Sequence, residues 1–235
     1  LDVDGYDAKY KLVITSGHAF GVFLRPEDVV NIGIRQVSAD DFQYAREKGL
    51  KIQLVAASRR VGGHLVSYVL PQLVDEDSLL HGVSQEFNGI VVQAAFAEQQ
   101  FFMGKGAGSY PTASAVLSDI SALSHNYRYA YKKQQQGTSL TPSTDVRLRT
   151  YLRFPAESKW PEILGIESIE VAHTQGQRSY IIGQVRLQTL LEQAGELRHA
   201  PVFLALMPDQ PAFGDEATQE TVSAAAFPAA AAQLK

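Results

Sequence analysis

Apolar and polar positions along the chain fall into short runs of different period, punctuated by glycine and proline. Near the start, Tyr6, Tyr10, Val13 and Ile14 recur close to helical spacing and Asp4 stands where an N-cap would, which predicts a helix over about 5–20. A second helix is predicted over 39–48, where Ser38 caps, Asp40 and Asp41 suit the positive end, and Gly49 terminates. Between them, Arg25-Pro26-Glu27-Asp28 opens at most a short helical turn leading into 32–37. Strand patterns follow at 51–57 and 64–70, with Gly62-Gly63 as the break and Pro71 as the end. The runs 87–96 and 100–103 read as a hairpin turning near Glu98-Gln99.

Gly104-Lys105-Gly106-Ala107-Gly108 interrupts the strands, and Pro111-Thr112 opens a helix predicted to reach about His125. The polar stretch 127–144 reads as a linker or loop. Beyond it, Val146, Leu148, Thr150, Leu152 and Phe154 alternate with Arg147, Arg149, Tyr151 and Arg153, as on a strand with one buried and one wet face. Two strands at 166–173 and 179–185, with Gln175-Gly176-Gln177 as a hairpin turn, a helix at 186–197 and a last strand at 202–207 complete a second unit. The predicted fold class is therefore α+β. Residues 1–128 form a first domain with a mixed or antiparallel sheet, 129–145 a linker, 146–208 a βαββαβ module, and 209–235 an Ala-rich tail, loose or helical.

Composition narrows the function classes. Of the 235 residues 45% are hydrophobic and 20% charged, an ordinary balance for a chain that folds around a core. The formal net charge of −4 is spread along the sequence, whereas phosphate binding needs a concentrated basic face, so nucleic acid is excluded as an expected partner. The absence of Cys removes disulfides, thiolate nucleophiles and Cys-metal sites together and suits a reducing cytoplasm. No apolar run approaches the ~20 residues that span a bilayer, and the six His residues show no metal-ligand spacing, so neither membrane nor metal is expected. The chain starts at Leu1 without Met, which leads us to expect further residues upstream.

Asp7 and Lys11 stand four apart on the first predicted helix, so their side chains share a face. Spacing alone leaves two readings open: a surface ion pair contributing about 0.2–0.5 kcal/mol, or two groups addressing one small ligand. The surrounding string Asp2-Val3-Asp4-Gly5-Tyr6-Asp7-Ala8-Lys9-Tyr10-Lys11 resembles the second half of the homoserine dehydrogenase signature. That half runs Asp, aliphatic, any, Gly, any, Asp, any three, Lys, and every defined position is met. The similarity continues through Ala19-Phe20-Gly21, Gly33-Ile34, Asp41, Ala45, 69–71, Gly106-Ala107-Gly108 and 111–120, and so covers about residues 1–125.

The resemblance implies NAD(P)-dependent interconversion of L-homoserine and L-aspartate 4-semialdehyde, a step towards threonine, methionine and isoleucine. It implies that Lys11 transfers the proton at the substrate oxygen and that Asp2 and Asp7 lie in the homoserine site. An ammonium can neutralise the oxygen charge left by hydride transfer, and carboxylates can hold the substrate ammonium. The resemblance also implies that the nucleotide-binding domain precedes this motif, so NAD or NADP would be held mainly by residues this chain lacks. The glycines at 104–108 miss the third Gly of a dinucleotide fingerprint; Gly106 and Gly108 are then cofactor-proximal candidates only. A homodimer formed through the sheet is implied as well. The unit 146–208 resembles a degenerate, ferredoxin-like ACT module in which Pro155–Gly165 replaces the expected turn and full helix. Two alternatives stand beside the enzyme reading: a regulatory or dimerisation module that binds an amino acid through that unit, and a pseudoenzyme. The isolated chain is expected to fold and to be inactive.

Overall fold

The computed structural model describes residues 1–137, 139–175, 178–208, 210 and 221–226. Helix α1 (Tyr6–Phe20) starts behind Gly5, whose φ of 79° lets the chain reverse into it. Asp4 does not cap it; the Asp4 carboxylate pairs with Arg35 instead. The helix is also rotated from the face expected from its aromatic spacing. It buries Lys9, Leu12, Ser16, Gly17 and Phe20, while Tyr10 and Ile14 remain 51% and 57% exposed. The apolar pattern was misleading because the inner face carries a lysine and a serine whose polar atoms find partners inside.

Helix α2 (Ala39–Glu47) lies where expected, with Asp41 accepting hydrogen bonds from the Ser38 N–H and Oγ, both at 2.8 Å, and Gly49 at φ 68° ending it. A single 3-10 turn (Pro26–Asp28) and a short strand β1 (Val30–Asn31) fill the space between the helices. Strands β2 (Lys51–Val61) and β3 (His64–Val74) form a long hairpin across Gly62-Gly63. Pro71 does not end β3. Its ring nitrogen points with the Val69 carbonyl, which accepts from Ile32, away from β2 and towards the gap between β1 and the next strand on that edge. The missing N–H therefore costs no ladder bond.

Strands β4 (Phe87–Ala94) and β5 (Glu98–Lys105) pair as expected, but the turn is Ala95-Phe96-Ala97 rather than Glu98-Gln99; Ala94 faces Glu98. Helix α3 (Ser109–Ser124) follows, with none of its 16 residues buried. The polar stretch after it is tethered. Tyr129 and Tyr131 pack with His18 and Phe23 at ring separations of 4.7–5.1 Å, beside a four-residue helix α4 (Lys132–Gln135) and strand β6 (Thr141–Pro142). Then come β7 (Arg147–Pro155), α5 (Trp160–Ile163), β8 (Glu167–Gln175), β9 (Arg178–Arg186), α6 (Leu187–Leu197) and β10 (Phe203–Leu206). The predicted turn residues Gly176 and Gln177 lie outside the described residues.

The C-terminal segment differs most from expectation. Residues 221–226, read as loose or helical, form a strand β11 (Thr221–Ala226) inserted between β2 and β4 and antiparallel to both. The rest of the tail, 209, 211–220 and 227–235, lies outside the described residues. Alanine's small side chain suits either state, so the partner edges, not propensity, decide.

All strands join one eleven-stranded mixed sheet in the order β5-β4-β11-β2-β3-β10-β7-β9-β8, with β1 and β6 also on β3. On one face α1 buries Leu12 and Phe20 against Leu54, Ala56, Leu65 and Val69. On the other, Val55, Tyr68 and Leu70 continue into Leu148, Leu152, Leu187, Leu190 and Leu204. Each such leucine contributes roughly 1.5–3 kcal/mol by burial, more than the surface pairs Arg147–Glu167 and Arg149–Glu170 are worth. The arginine row of β7 is therefore wet only in part. α2 covers its far end, leaving Arg153 12% and Asp41 0% exposed in their side-chain pair, with Tyr44 stacked on Tyr151 at 4.6 Å.

Candidate active site

The residues of the motif sit on a turn and the first two turns of α1. The turn closes through Gly5 N–H to the Asp2 carbonyl and Tyr6 N–H to the Leu1 carbonyl, both 3.0 Å. Asp2 is exposed on it. One turn along the helix, Lys11 Nζ lies 2.7 Å from Asp7 Oδ2, with side chains 64% and 46% exposed. The structure thus brings Asp7 and Lys11 together on the open side of α1, with exposed Tyr10 and Ile14 beside them. Such a pair can give a proton to, or take one from, a small molecule's oxygen while the carboxylate holds an ammonium.

The turn itself is held by the end of β1 and the segment after it. Ile34 N–H donates to the Val3 carbonyl at 2.9 Å, Asn31 Nδ2 to the Asp4 carbonyl at 2.9 Å, and Arg35 grips the Asp4 carboxylate through Nε and Nη2 at 2.9 and 2.8 Å. Gly33 lies flush against it: a Cβ there would fall 2.0 Å from the Val3 oxygen and 2.5 Å from the Asp4 Cα. Both obstacles are backbone and cannot swing aside, so Gly33→Ala should destabilise the protein by about 1–3 kcal/mol. Urea unfolding of the variant checks this; an unchanged midpoint would mean that the turn can retreat freely.

Beneath the turn lies a residue that sequence reasoning missed. Lys9 is buried, its Nζ donating to Asn31 Oδ1 at 2.7 Å and the Val29 carbonyl at 3.2 Å. Burial, reinforced by the Arg198 charge, pushes its pKa down. The signal was present in the spacing, since positions 9, 12, 16 and 20 share a helical face.

The bidentate bond from Arg35 holds the Asp4 carboxyl below its ordinary value of 3.8, against the opposing effect of burial. A carboxylate with a depressed folded-state pKa stabilises the fold above its unfolded value, and that contribution is lost as pH falls through the folded value. Arg35→Ala should accordingly lower the urea midpoint at pH 7, and the gap from the parent should close on acidification below about pH 4. A gap of constant size at all pH values would show that the pair does not titrate.

Gly106 and Gly108 lie between β5 and α3. A Cβ on Gly106 would sit 1.8 Å from Asn88 Nδ2, and Gly108, at φ 119°, has only the Pro111 ring near it. β5 pairs with β4, antiparallel, so the loop is not part of a parallel βαβ unit. These residues do not by themselves fit a dinucleotide. Among the described residues no group of three or more His, Asp and Glu could hold a metal ion, and no helix is long and apolar enough to cross a membrane.

Comparison with known proteins identifies the family of the chain. A family model described as homoserine dehydrogenase matches residues 1–121. The homoserine dehydrogenase of Neisseria gonorrhoeae is 32% identical over 175 residues, covering 70% of this chain and 40% of that protein. That of Mycobacterium bovis is 32% identical over 203 residues, covering 83% and 45%. A solved homoserine dehydrogenase from Thiobacillus denitrificans superposes with a TM-score of 0.68 at 28% identity, covering 88% of this chain and 54% of that one. The chain belongs to the homoserine dehydrogenase family and spans about half the length of these relatives, or less.

Proposed function

We propose that residues 1–128 are the substrate-binding and catalytic part of a homoserine dehydrogenase that interconverts L-homoserine and L-aspartate 4-semialdehyde with NAD or NADP. The observation that carries this reading is the intact motif with Lys11 and Asp7 in contact at 2.7 Å on an open helix face. In this mechanism Lys11 Nζ takes the proton from the homoserine hydroxyl in one direction and returns it to the aldehyde oxygen in the other. Asp7 orients that ammonium, and Asp7 with Asp2 anchors the α-ammonium of the substrate. Because Gly106 and Gly108 do not fit a dinucleotide alone, the cofactor is assigned to residues outside this chain. Lys11 is largely exposed here, and its covering has to come from substrate and from those other residues. A homodimer of a cytoplasmic enzyme belongs to the same reading, supported by the exposed Phe102 and Met103 on the edge strand β5.

The test is the initial rate of NAD⁺ and NADP⁺ reduction with L-homoserine, measured on the full-length protein that carries these residues and on residues 1–235 alone. Turnover by the former alone supports the assignment. Turnover by neither, with both folded, moves the pseudoenzyme reading to the front.

A second reading concerns 146–208. Its strands lie in the order β10-β7-β9-β8, all antiparallel, with Trp160, Leu164, Leu187 and Leu190 covering one face. This ferredoxin-like strand order supports reading the unit as an ACT-like module that binds an amino acid, although α5 has only four residues. Calorimetric titration with threonine discriminates: saturable heat lost on deleting 146–208 favours sensing, and no heat favours a structural module.

A further inference from the structure

Resting on the assignment of Asp2, Asp7 and Lys11 to the substrate site, we propose that Asn31 and Arg35 are positioning residues for that site and that buried Lys9 sets Asn31. The chain of contacts is continuous. Lys9 leaves the same helix as Asp7 and Lys11 but points inward, and its Nζ fixes the Asn31 amide by donating to Oδ1 at 2.7 Å. This leaves Asn31 Nδ2 only one way to face, and it donates to the Asp4 carbonyl at 2.9 Å. Arg35 holds the side chain of the same residue bidentately. Asp4 is thus fixed at its backbone and at its carboxylate, two residues after Asp2 and three before Asp7.

Nothing in core stability requires this arrangement. A lysine at position 9 is costly to bury without a carboxylate in contact, a cost an apolar side chain there would not carry. What the lysine provides is an oriented amide beneath the turn. The turn is short, and its glycine at φ 79° is conformationally permissive, so its geometry has to be imposed from outside. Substrate-holding groups lose much of their effect when displaced by about 1 Å, which can change rates by up to about 100-fold. The segment 31–35 therefore acts as a template against which Asp2 and the start of α1 are set.

Asn31→Asp separates positioning from stability. The carboxylate gives Lys9 a counter-charge within hydrogen-bond reach, closer than Glu27, so the fold is retained or strengthened, while the Asp4 carbonyl loses its donor and faces an anion. In the full-length protein, the KM for L-homoserine should rise about tenfold, kcat should change by less than about threefold, and Tm should not fall. Arg35→Ala, at a side chain 54% exposed, is the second variant and should raise KM in the same direction; Arg35→Lys should not restore it, because an ammonium cannot grip a carboxylate bidentately. An unchanged KM in Asn31→Asp overturns the proposal, and if that variant does not fold, an unchanged KM in Arg35→Ala does so. Absence of L-homoserine turnover in the parent protein would instead refute the functional assignment on which the proposal rests.

Discussion

Replacement of Lys11 by alanine is expected to lower kcat for L-homoserine oxidation by about 10²–10⁴-fold in the full-length protein, the usual contribution of a positioned proton-transfer group. The neighbouring residues define what the variant should retain. Lys11 is 64% exposed and, among the described residues, its ion pair is with Asp7, itself 46% exposed, so stability should stay within about 0.5 kcal/mol of the parent. Lys11→Arg should preserve the charge beside Asp7 and much of the substrate affinity, yet recover little of kcat, because a guanidinium does not release its proton near neutral pH. Asp7→Asn should act mainly on KM by weakening the hold on the substrate ammonium. Steady-state kinetics with melting curves for all three variants check the pattern. A Lys11→Ala enzyme within tenfold of the parent kcat would remove the lysine from the chemistry and return the pair to an ordinary surface ion pair.

The largest expected effect on stability lies at the buried pair between α2 and β7. Asp41, with no side-chain exposure, accepts hydrogen bonds from Tyr151 Oη at 3.1 Å and Arg153 Nε at 2.9 Å besides those from Ser38. Burial and the Asp41 charge together push the Tyr151 hydroxyl above its ordinary pKa, so it is a donor at neutral pH. Asp41→Ala strands all these donors and leaves an unpaired guanidinium against α2. Because Arg153 keeps the Gln36 carbonyl as an acceptor at 2.7 Å, the loss should fall at the lower end of the about 3–5 kcal/mol range for breaking a buried pair. Against a total stability of about 5–15 kcal/mol, such a loss is visible in any urea titration. Asp41→Leu combined with Arg153→Met, which removes both charges, should recover most of it. A loss below 1 kcal/mol in Asp41→Ala would show that water reaches the pair.

The contrast between these two sites explains what the sequence could and could not say. Asp7 and Lys11 are local: four residues apart on one helix, they are brought together by helix geometry alone, and their meeting was readable. Asp41 and Arg153 belong to different predicted units. Asp41 was assigned correctly to the first turn of α2, but its second role depends on a sheet that periodicity cannot place in space, and Arg153 was consequently read as part of a solvated row. For Lys9 the inward face was readable from helical spacing, but its partners, the Val29 carbonyl and the Asn31 side-chain oxygen, were not. Hairpins with glycine breaks, such as β2–β3, were legible because the turn and both strands are contiguous. Pro71 misled because its tolerance depends on which edge neighbour happens to be absent beside it.

The insertion of β11 between β2 and β4 also sets the order in which the chain can assemble. β2 and β4 are made early, and each would expose one unpaired edge until residues 221–226 arrive from the far end of the chain. During synthesis the β4–β5 hairpin therefore waits without its sheet neighbour, with Phe102 and Met103 on its surface. Long-range pairing of this kind slows folding and leaves strand edges open to other chains meanwhile. A nascent protein of this design would depend on chaperones most heavily in the interval between emergence of the hairpin and completion of the C-terminal strand.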